Sequence, residues 1–405
     1  MFSFNLATVF ESEITTTAWI CLIALCVCAI FAILARFLPM IRVARTAESQ
    51  TEEADLVAFE PEEKLPKASV IVYCFINEDS LIDYLEVLMN QDYPDYEVIL
   101  VNEGSYDVST SLAERLQMKY PDRLYVTFIP PESHNLSRRK LALTVGIKAA
   151  HGDVVVTTAS NCLIPSQQWL SLMMQPFIGC DRTNVVLGYA HINFENLHGA
   201  GKWYKEFDAT LTACQWLGAA IHHYPYRGDS FNLAYRKHLF FEQKGYSKSI
   251  HLMNGDDDLF INDISNGTNT DVMIAPDAIL TYDYGVAGNR IMSDLKERYQ
   301  FTSQMLPKMP FLRAGFGSAM QCLATGFGIA ASIVSLPNII PFLVACGLLA
   351  ILNIFEIVIY RKAARALGSV CLWWALPFFL LWHPIDNFIF KCKRRSHRKK
   401  NFTFA

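Results

Sequence analysis

Apolar positions along this chain fall into three regimes. From Ile14 to Ala35 the sequence is apolar and uncharged, long enough to cross a bilayer as a helix. From Lys67 to about residue 300 the runs are short and change period. Ala68 to Tyr73, Tyr96 to Val101, Leu124 to Ile129 and Asp153 to Thr158 are rich in β-branched residues, as in strands buried on both faces. Between them, Ser80 to Gln91, Val108 to Met118 and Arg138 to Ala150 have helical spacing, with Leu81, Tyr84, Leu85 and Leu88 on one face. Such alternation predicts an α/β fold: a Rossmann-like, mostly parallel sheet with helices on both faces. From Ala314 onward three long apolar segments follow: Gly315 to Leu336, Ile339 to Tyr360 and Leu367 to Phe390.

The polar stretches divide these regimes. Residues 1–45 read as an N-terminal transmembrane anchor and 46–66 as an acidic linker carrying Pro61 and Pro66. Residues 67–300 read as the α/β domain, and 301–405 as a C-terminal membrane region with two or three apolar segments and a basic tail. Arg36, Arg42 and Arg45 follow the first apolar run, while Glu11 and Glu13 precede it. The positive-inside bias then places the domain in the cytoplasm, on a multi-pass protein of the cytoplasmic membrane. A cleaved signal peptide would carry its basic residues before the apolar run, not after it. The tail from Lys391 to Lys400 is also basic and belongs on the cytoplasmic side. Three complete crossings after the domain would put it outside. One segment is therefore expected to be re-entrant or interfacial, and Leu367 to Phe390, broken by Pro377 and Pro384, suits that best.

Composition narrows the class. The 405 residues are 52% hydrophobic, with a formal charge of −4 that gives no case for a nucleic-acid partner. Eleven cysteines are scattered, several inside apolar runs, without metal-ligand spacing. This usage fits reduced thiols in a reducing compartment. Adjacent His222 and His223 lack a third ligand and read as ordinary side chains.

The candidate chemistry centres on Asp256, Asp257 and Asp258, which run directly into the apolar helical spacing of Leu259 to Ile264. Three neighbouring carboxylates repel one another. Two readings remain open: acids capping a helix N-terminus, or a carboxylate held by a cationic cleft to take a proton from a hydroxyl. Ligands of open α/β sheets bind beyond the carboxyl ends of the strands. Those ends carry Asn77, Glu78 and Asp79, then Asn102 and Glu103, then Ala159, Ser160 and Asn161. Asn102 to Ser105 also has good turn chemistry. Arg138, Arg139 and Lys140 open a helix, where cations oppose the dipole, and an arginine there suits phosphate geometry.

The ordered series Ser69 to Val72, Asn90 to Pro94, Val101 to Ser105 with Asp107, Arg138 to Thr144, Gly146 to Ala150, Gly228 to Lys237 and Gly255 to Asp258 resembles the family 2 glycosyltransferases, which have the GT-A fold. The likeness runs from Lys67 to Tyr299. It implies a nucleotide-sugar donor, a UDP-sugar first among them, with Asn77, Glu78, Asn102 and Glu103 near the nucleotide and Arg139 and Lys140 at the diphosphate. It implies Asn232 close to the sugar or acceptor, Asp257 as the base and Asp256 orienting it. The family holds a divalent cation, Mg or Mn, through an Asp-x-Asp at the fourth strand end. Here Ala159 and Asn161 stand in those places, an amide being a poorer ligand than a carboxylate, and the metal is left unassigned. Processive members carry Gln-x-x-Arg-Trp after the acid. This chain keeps Arg298 and an aromatic, Tyr299, without the glutamine, which argues against a polymer-channel synthase and leaves Arg298 for the diphosphate or for lipid headgroups. The partners implied are the donor, a lipid-linked or glycan acceptor, and the membrane. The alternative is a catalytically degenerate relative serving as a binding or scaffold subunit. A transporter component fits poorly, since the soluble insert is long and the crossings few.

Overall fold

The β-branched runs pair side by side. β1 (Ala68–Cys74), β2 (Tyr96–Asn102), β3 (Leu124–Phe128) and β4 (Val154–Ala159) form a parallel unit in the order β3-β2-β1-β4. This computed structural model describes residues 16–54, 65–74, 78–102, 110–129, 137–195, 199, 201–253, 255–283, 288–336, 338–370 and 372–396. Beyond β4 the sheet becomes mixed. β8 (Leu233–Arg236) runs antiparallel to β4 and to β6 (Val185–Leu187), and β9 (Thr270–Val272) closes the edge parallel to β6. A smaller sheet pairs β5 (Cys162–Leu163), β10 (Leu280–Asp283) and β7 (Ala190–Asn193) in that order.

Period-two alternation splits the core into two layers. Val70, Val72, Val98 and Leu100 pack on one face with Leu81, Leu85 and Leu88 of α3 (Glu78–Met89). Ile71, Ile99 and Val101 pack on the other with Leu143 and Ile147 of α5 (Arg138–Ala149). Outside this layer α4 (Thr110–Lys119) covers β3. Each such side chain fully buried contributes about 1.5–3 kcal/mol relative to exposure.

The second layer continues without a break into the membrane region. It includes Phe37 and Met40, Phe207, Leu211 and Trp216 of α7 (Gly201–Ile221), and Tyr360 and Ala363 of α12 (Ile339–Ala366). α1 (Thr16–Ala32) passes through a π-turn at Ile33–Phe37 into α2 (Leu38–Ala54), which lies on α7. A Cβ on Gly218 would stand 2.6 Å from Pro39 O, so glycine permits that approach. Residues 46–54, the first part of the stretch read above as a linker, continue the helix. Gln50 explains this: its amide donates to Val272 O at 2.7 Å and its carbonyl accepts from Ile274 N at 2.8 Å, docking α2 on the domain. Residues 55–64 lie outside the described residues.

Among the described residues, three helices are long and apolar enough to cross a membrane: Thr16–Glu53, α11 (Lys308–Val334) and α12. The third C-terminal apolar segment is not among them. Its described part forms α13 (Leu376–Ser396), which packs on α7, on α11 and on α10 (Gly288–Thr302). Phe378, Ile385 and Phe388 point outward, and the helix ends in Lys391, Lys393, Arg394 and Arg395. An apolar stripe with a basic end is the pattern of a helix lying in the interface plane.

Candidate active site

Gly255 adopts φ +106°, a conformation L side chains rarely take, and so turns the chain into the three acids. Asp258 caps the short α9 (Leu259–Ile264), accepting the Leu259 N–H at 2.7 Å. The capping reading of the acidic run holds for Asp258, and all three acids border a cleft. Gly228 N donates to Asp257 O at 3.3 Å, tying the acidic turn to the segment that leads into β8. Thr157 of β4 donates to Ser230 O at 2.8 Å, so this segment lies near the end of β4.

Arg139 comes from the first turn of α5. Its Nε lies 2.9 Å from Asp256 Oδ2, off the N–H axis, and its terminal nitrogen donates to Ser230 Oγ at 2.6 Å. Ser230 passes a hydrogen bond to Asp256 Oδ2 at 3.2 Å, and the guanidinium rests 3.9 Å from the centroid of the Phe231 ring. Burial works most strongly against the Arg139 charge, but Asp256, Tyr282, Asp257 and Asp229 together outweigh it and raise the pKa. Arg227 is buried, 3.2 Å from the centroid of the Tyr299 ring, and Tyr299 OH donates to Asp257 Oδ2 at 3.2 Å.

The acids feel these neighbours. Burial first, then Asp258 and Asp256, push the Asp257 carboxyl up to about 8, while Arg227 and Arg139 pull against that rise. Asp258 is raised by burial and relieved in part by Arg227. Asp229, also raised by burial, accepts the Phe231 N–H at 3.0 Å and the Ala190 N–H at 3.3 Å.

The cleft has a volume of about 830 Å³. It is bordered by Arg139, Asp229 and the acidic turn, by Arg298 on α10, by Phe311 and Gly315 on α11, and by Asn387 and Lys391 on α13. The acids thus share one cleft with α11, a helix long and apolar enough to cross a membrane.

The sequence candidates separate accordingly. Asp256, Asp257, Arg139 and Arg298 meet at the cleft. Lys140, expected beside Arg139 at the diphosphate, does not border it. Its ammonium is spent on Ser249 O at 2.6 Å, Leu252 O at 3.1 Å and Ser249 Oγ at 3.2 Å, pinning that loop. Burial lowers its pKa to about 8, against the pull of Asp256. This also accounts for cations at a helix start: tertiary partners outweigh the dipole. Asn232, expected near the sugar or acceptor, is fully buried. Its amide donates to Tyr189 O at 2.9 Å and Ala278 O at 2.8 Å and accepts from Trp169 Nε1 at 3.1 Å, which makes it a strut between sheets. Asn102 ends β2, fully buried. Asn77 and Glu103 lie outside the described residues, as does the side chain of Glu78. Arg227 was not singled out in the sequence; Asp229 lay in the Gly228 to Lys237 series and Tyr299 was noted as the aromatic after Arg298, but neither was given a site role, because their partners are distant in sequence.

The metal expected from the resemblance finds few donors. Ala159 offers a methyl group, Asn161 is engaged with the Tyr282 hydroxyl, and no group of three His, Cys, Asp or Glu side chains gathers among the described residues. The described residues do not fit a divalent cation at this strand end.

Fold and cleft define a GT-A-type α/β domain, its acid-lined cleft near the end of β4, seated on helices able to cross a membrane. Residues 69–234 match the family model Glycosyl transferase family 2, so this stretch of the chain is a glycosyltransferase domain of that type. The undecaprenyl-phosphate 4-deoxy-4-formamido-L-arabinose transferase of Pseudomonas fluorescens (strain Pf0-1) is 28% identical over 123 residues, which are 30% of this chain and 35% of that protein. The match thus spans about a third of the curated relative. Among solved structures, a mannosyltransferase of Pyrobaculum calidifontis in complex with GDP-Man and Mn2+ is 15% identical with a TM-score of 0.49, covering 89% of this chain and 99% of that one. TarS of S. aureus is 16% identical with a TM-score of 0.39, covering 82% and 92%.

Proposed function

We propose that this protein is a membrane-seated glycosyltransferase that takes a sugar from a nucleotide-diphosphate donor and passes it, with inversion, to a lipid-linked or membrane-proximal glycan acceptor. The observation that carries this reading is the single cleft lined both by carboxylates and arginines and by residues of α11 and α13. Asp257 takes the proton of the acceptor hydroxyl. The freed oxygen bonds to the anomeric carbon, the bond to the diphosphate breaks, and the nucleoside diphosphate leaves with the electron pair. Arg139, Arg227 and Arg298 supply positive charge towards the leaving group. The resemblance points to a UDP-sugar as donor. The relative from Pseudomonas is named for a lipid phosphate, and an acceptor of that kind suits a cleft bordered by α11 and α13. Arg36, Arg42 and Arg45 orient the domain to the cytoplasm. The alternative, a non-catalytic binding subunit, gives no reason for three carboxylates gathered beside arginines.

The test is thermal stabilisation of the purified protein by a panel of nucleotide-sugars. A donor at 100 times its Kd stabilises by roughly 2.7 kcal/mol. Stabilisation by one nucleotide-sugar series is expected; a panel in which neither nucleotide-sugars nor free nucleotides stabilise the protein contradicts the proposal.

A further inference from the structure

A buried charge cluster next to the cleft has no part in the chemistry above. Lys296 of α10 lies 2.8 Å from Asp208 Oδ2 on α7 and 2.5 Å from Asp386 Oδ2 on α13. His383 Nε2 lies 3.2 Å from the other Asp208 oxygen. The Lys296, Asp208 and Asp386 side chains are 14%, 15% and 16% exposed, so solvent screens these contacts little. Burial raises the Asp208 carboxyl, but Lys296 and His383 outweigh it and hold its pKa at about 2. α10 is thereby clamped to two helices at once.

Three residues along the same helix, on the same face, stands Tyr299. Its hydroxyl is 3.2 Å from Asp257 Oδ2, and Arg227 covers its ring. Resting on the glycosyltransferase reading, we propose that Tyr299 is a positioning residue that aims and charges the Asp257 carboxylate, and that the Lys296 clamp acts through it by fixing α10. A hydroxyl donor favours the ionised carboxylate. Asp257 otherwise faces Asp256 and Asp258 from its own turn, Arg227 from the segment before β8, Arg139 and Lys140 from α5, and Tyr246. The acids and burial disfavour its charge, and the cations favour it. Of the two tyrosines in this set, Tyr299 is the one whose hydroxyl donates to the Asp257 carboxylate, and its helix is held by Lys296 to α7 and α13 and by Thr302 to Asp258.

The experiment uses the full chain in detergent and follows the protonated-carboxyl infrared band that Asp257→Asn removes, titrated across pH without substrate. Tyr299→Phe deletes one hydroxyl and creates no buried charge. Its band should titrate roughly one pH unit higher than in the wild type, since a hydrogen bond to a charged group is lost. Lys296→Met should move the midpoint in the same direction, and the double variant should move it no further than Tyr299→Phe alone. An unmoved midpoint in Tyr299→Phe overturns the proposal, as do additive shifts. In the transfer assay, the acidic limb of kcat/KM should move with the band while KM for the donor stays constant. If the wild type transfers no sugar, the glycosyltransferase reading fails while the band still reports on Tyr299.

Discussion

Arg139→Met removes the cation that the structure ties most closely to the acidic turn. Three contacts disappear together: the 2.9 Å approach to Asp256, the hydrogen bond to Ser230 and the stacking on Phe231. The Asp256 side chain is 6% exposed and would stay buried without its partner. Breaking a fully buried pair costs about 3–5 kcal/mol. The Arg139 side chain is 24% exposed, so solvent lowers the loss to about 2–3 kcal/mol. For a domain of this size that is roughly 5–10 °C in apparent Tm. A double-mutant cycle with Asp256→Asn isolates the pairing, because the second substitution removes the orphaned charge. The assay is thermal unfolding of the four proteins in one detergent at pH 7.5. The double variant should be no less stable than Arg139→Met alone. Strictly additive losses would refute the claim that the two side chains act as a unit.

Three further outcomes follow from the same geometry. Asp257 has a folded pKa of about 8, above the ordinary carboxylate range, so its contribution to stability is present at low pH and lost as pH rises through about 8. Asp257→Asn should therefore raise Tm relative to wild type at pH 8.5 and do so less at pH 5, checked by thermal scans across pH; a gain that is larger at pH 5 would contradict the sign. Because the described residues at the end of β4 do not fit a divalent cation, donor binding measured by calorimetry should persist in excess EDTA, and binding lost to EDTA but restored by Mn2+ would show otherwise. Asn232→Ala removes three hydrogen bonds at about 1 kcal/mol each and should lower stability by roughly 3 kcal/mol, while the surviving folded protein keeps its donor KM; a raised KM would return Asn232 to the cleft.

The parallel half of the sheet was legible because its strands are local β-branched runs separated by helical periodicity. The antiparallel β8 was not assigned a direction, since Leu233 to Arg236 reads the same either way. α2 was cut short on paper because Glu48 to Ala54 is polar, yet Gln50 finds its partners more than 200 residues away on β9 and just beyond it. The acidic turn was visible as a motif. Its supports were not: Arg227, Tyr299 and Lys296 matter through pairings that only the fold creates. Lys140 and Asn232 illustrate the reverse. Their positions suit ligand contact by residue type, and the folded chain spends both on its own carbonyls.

The account rests on Asp257 taking a proton from an acceptor hydroxyl held in the cleft. The most direct measurement is transfer of labelled sugar from a stabilising nucleotide-sugar into lipid-extractable or glycan material, by wild-type protein and by Asp257→Asn in lipid vesicles. Wild type should transfer, and Asp257→Asn should bind the donor with unchanged affinity and transfer at least a hundredfold more slowly, in line with the usual worth of a general base. Equal transfer by the two proteins would contradict it.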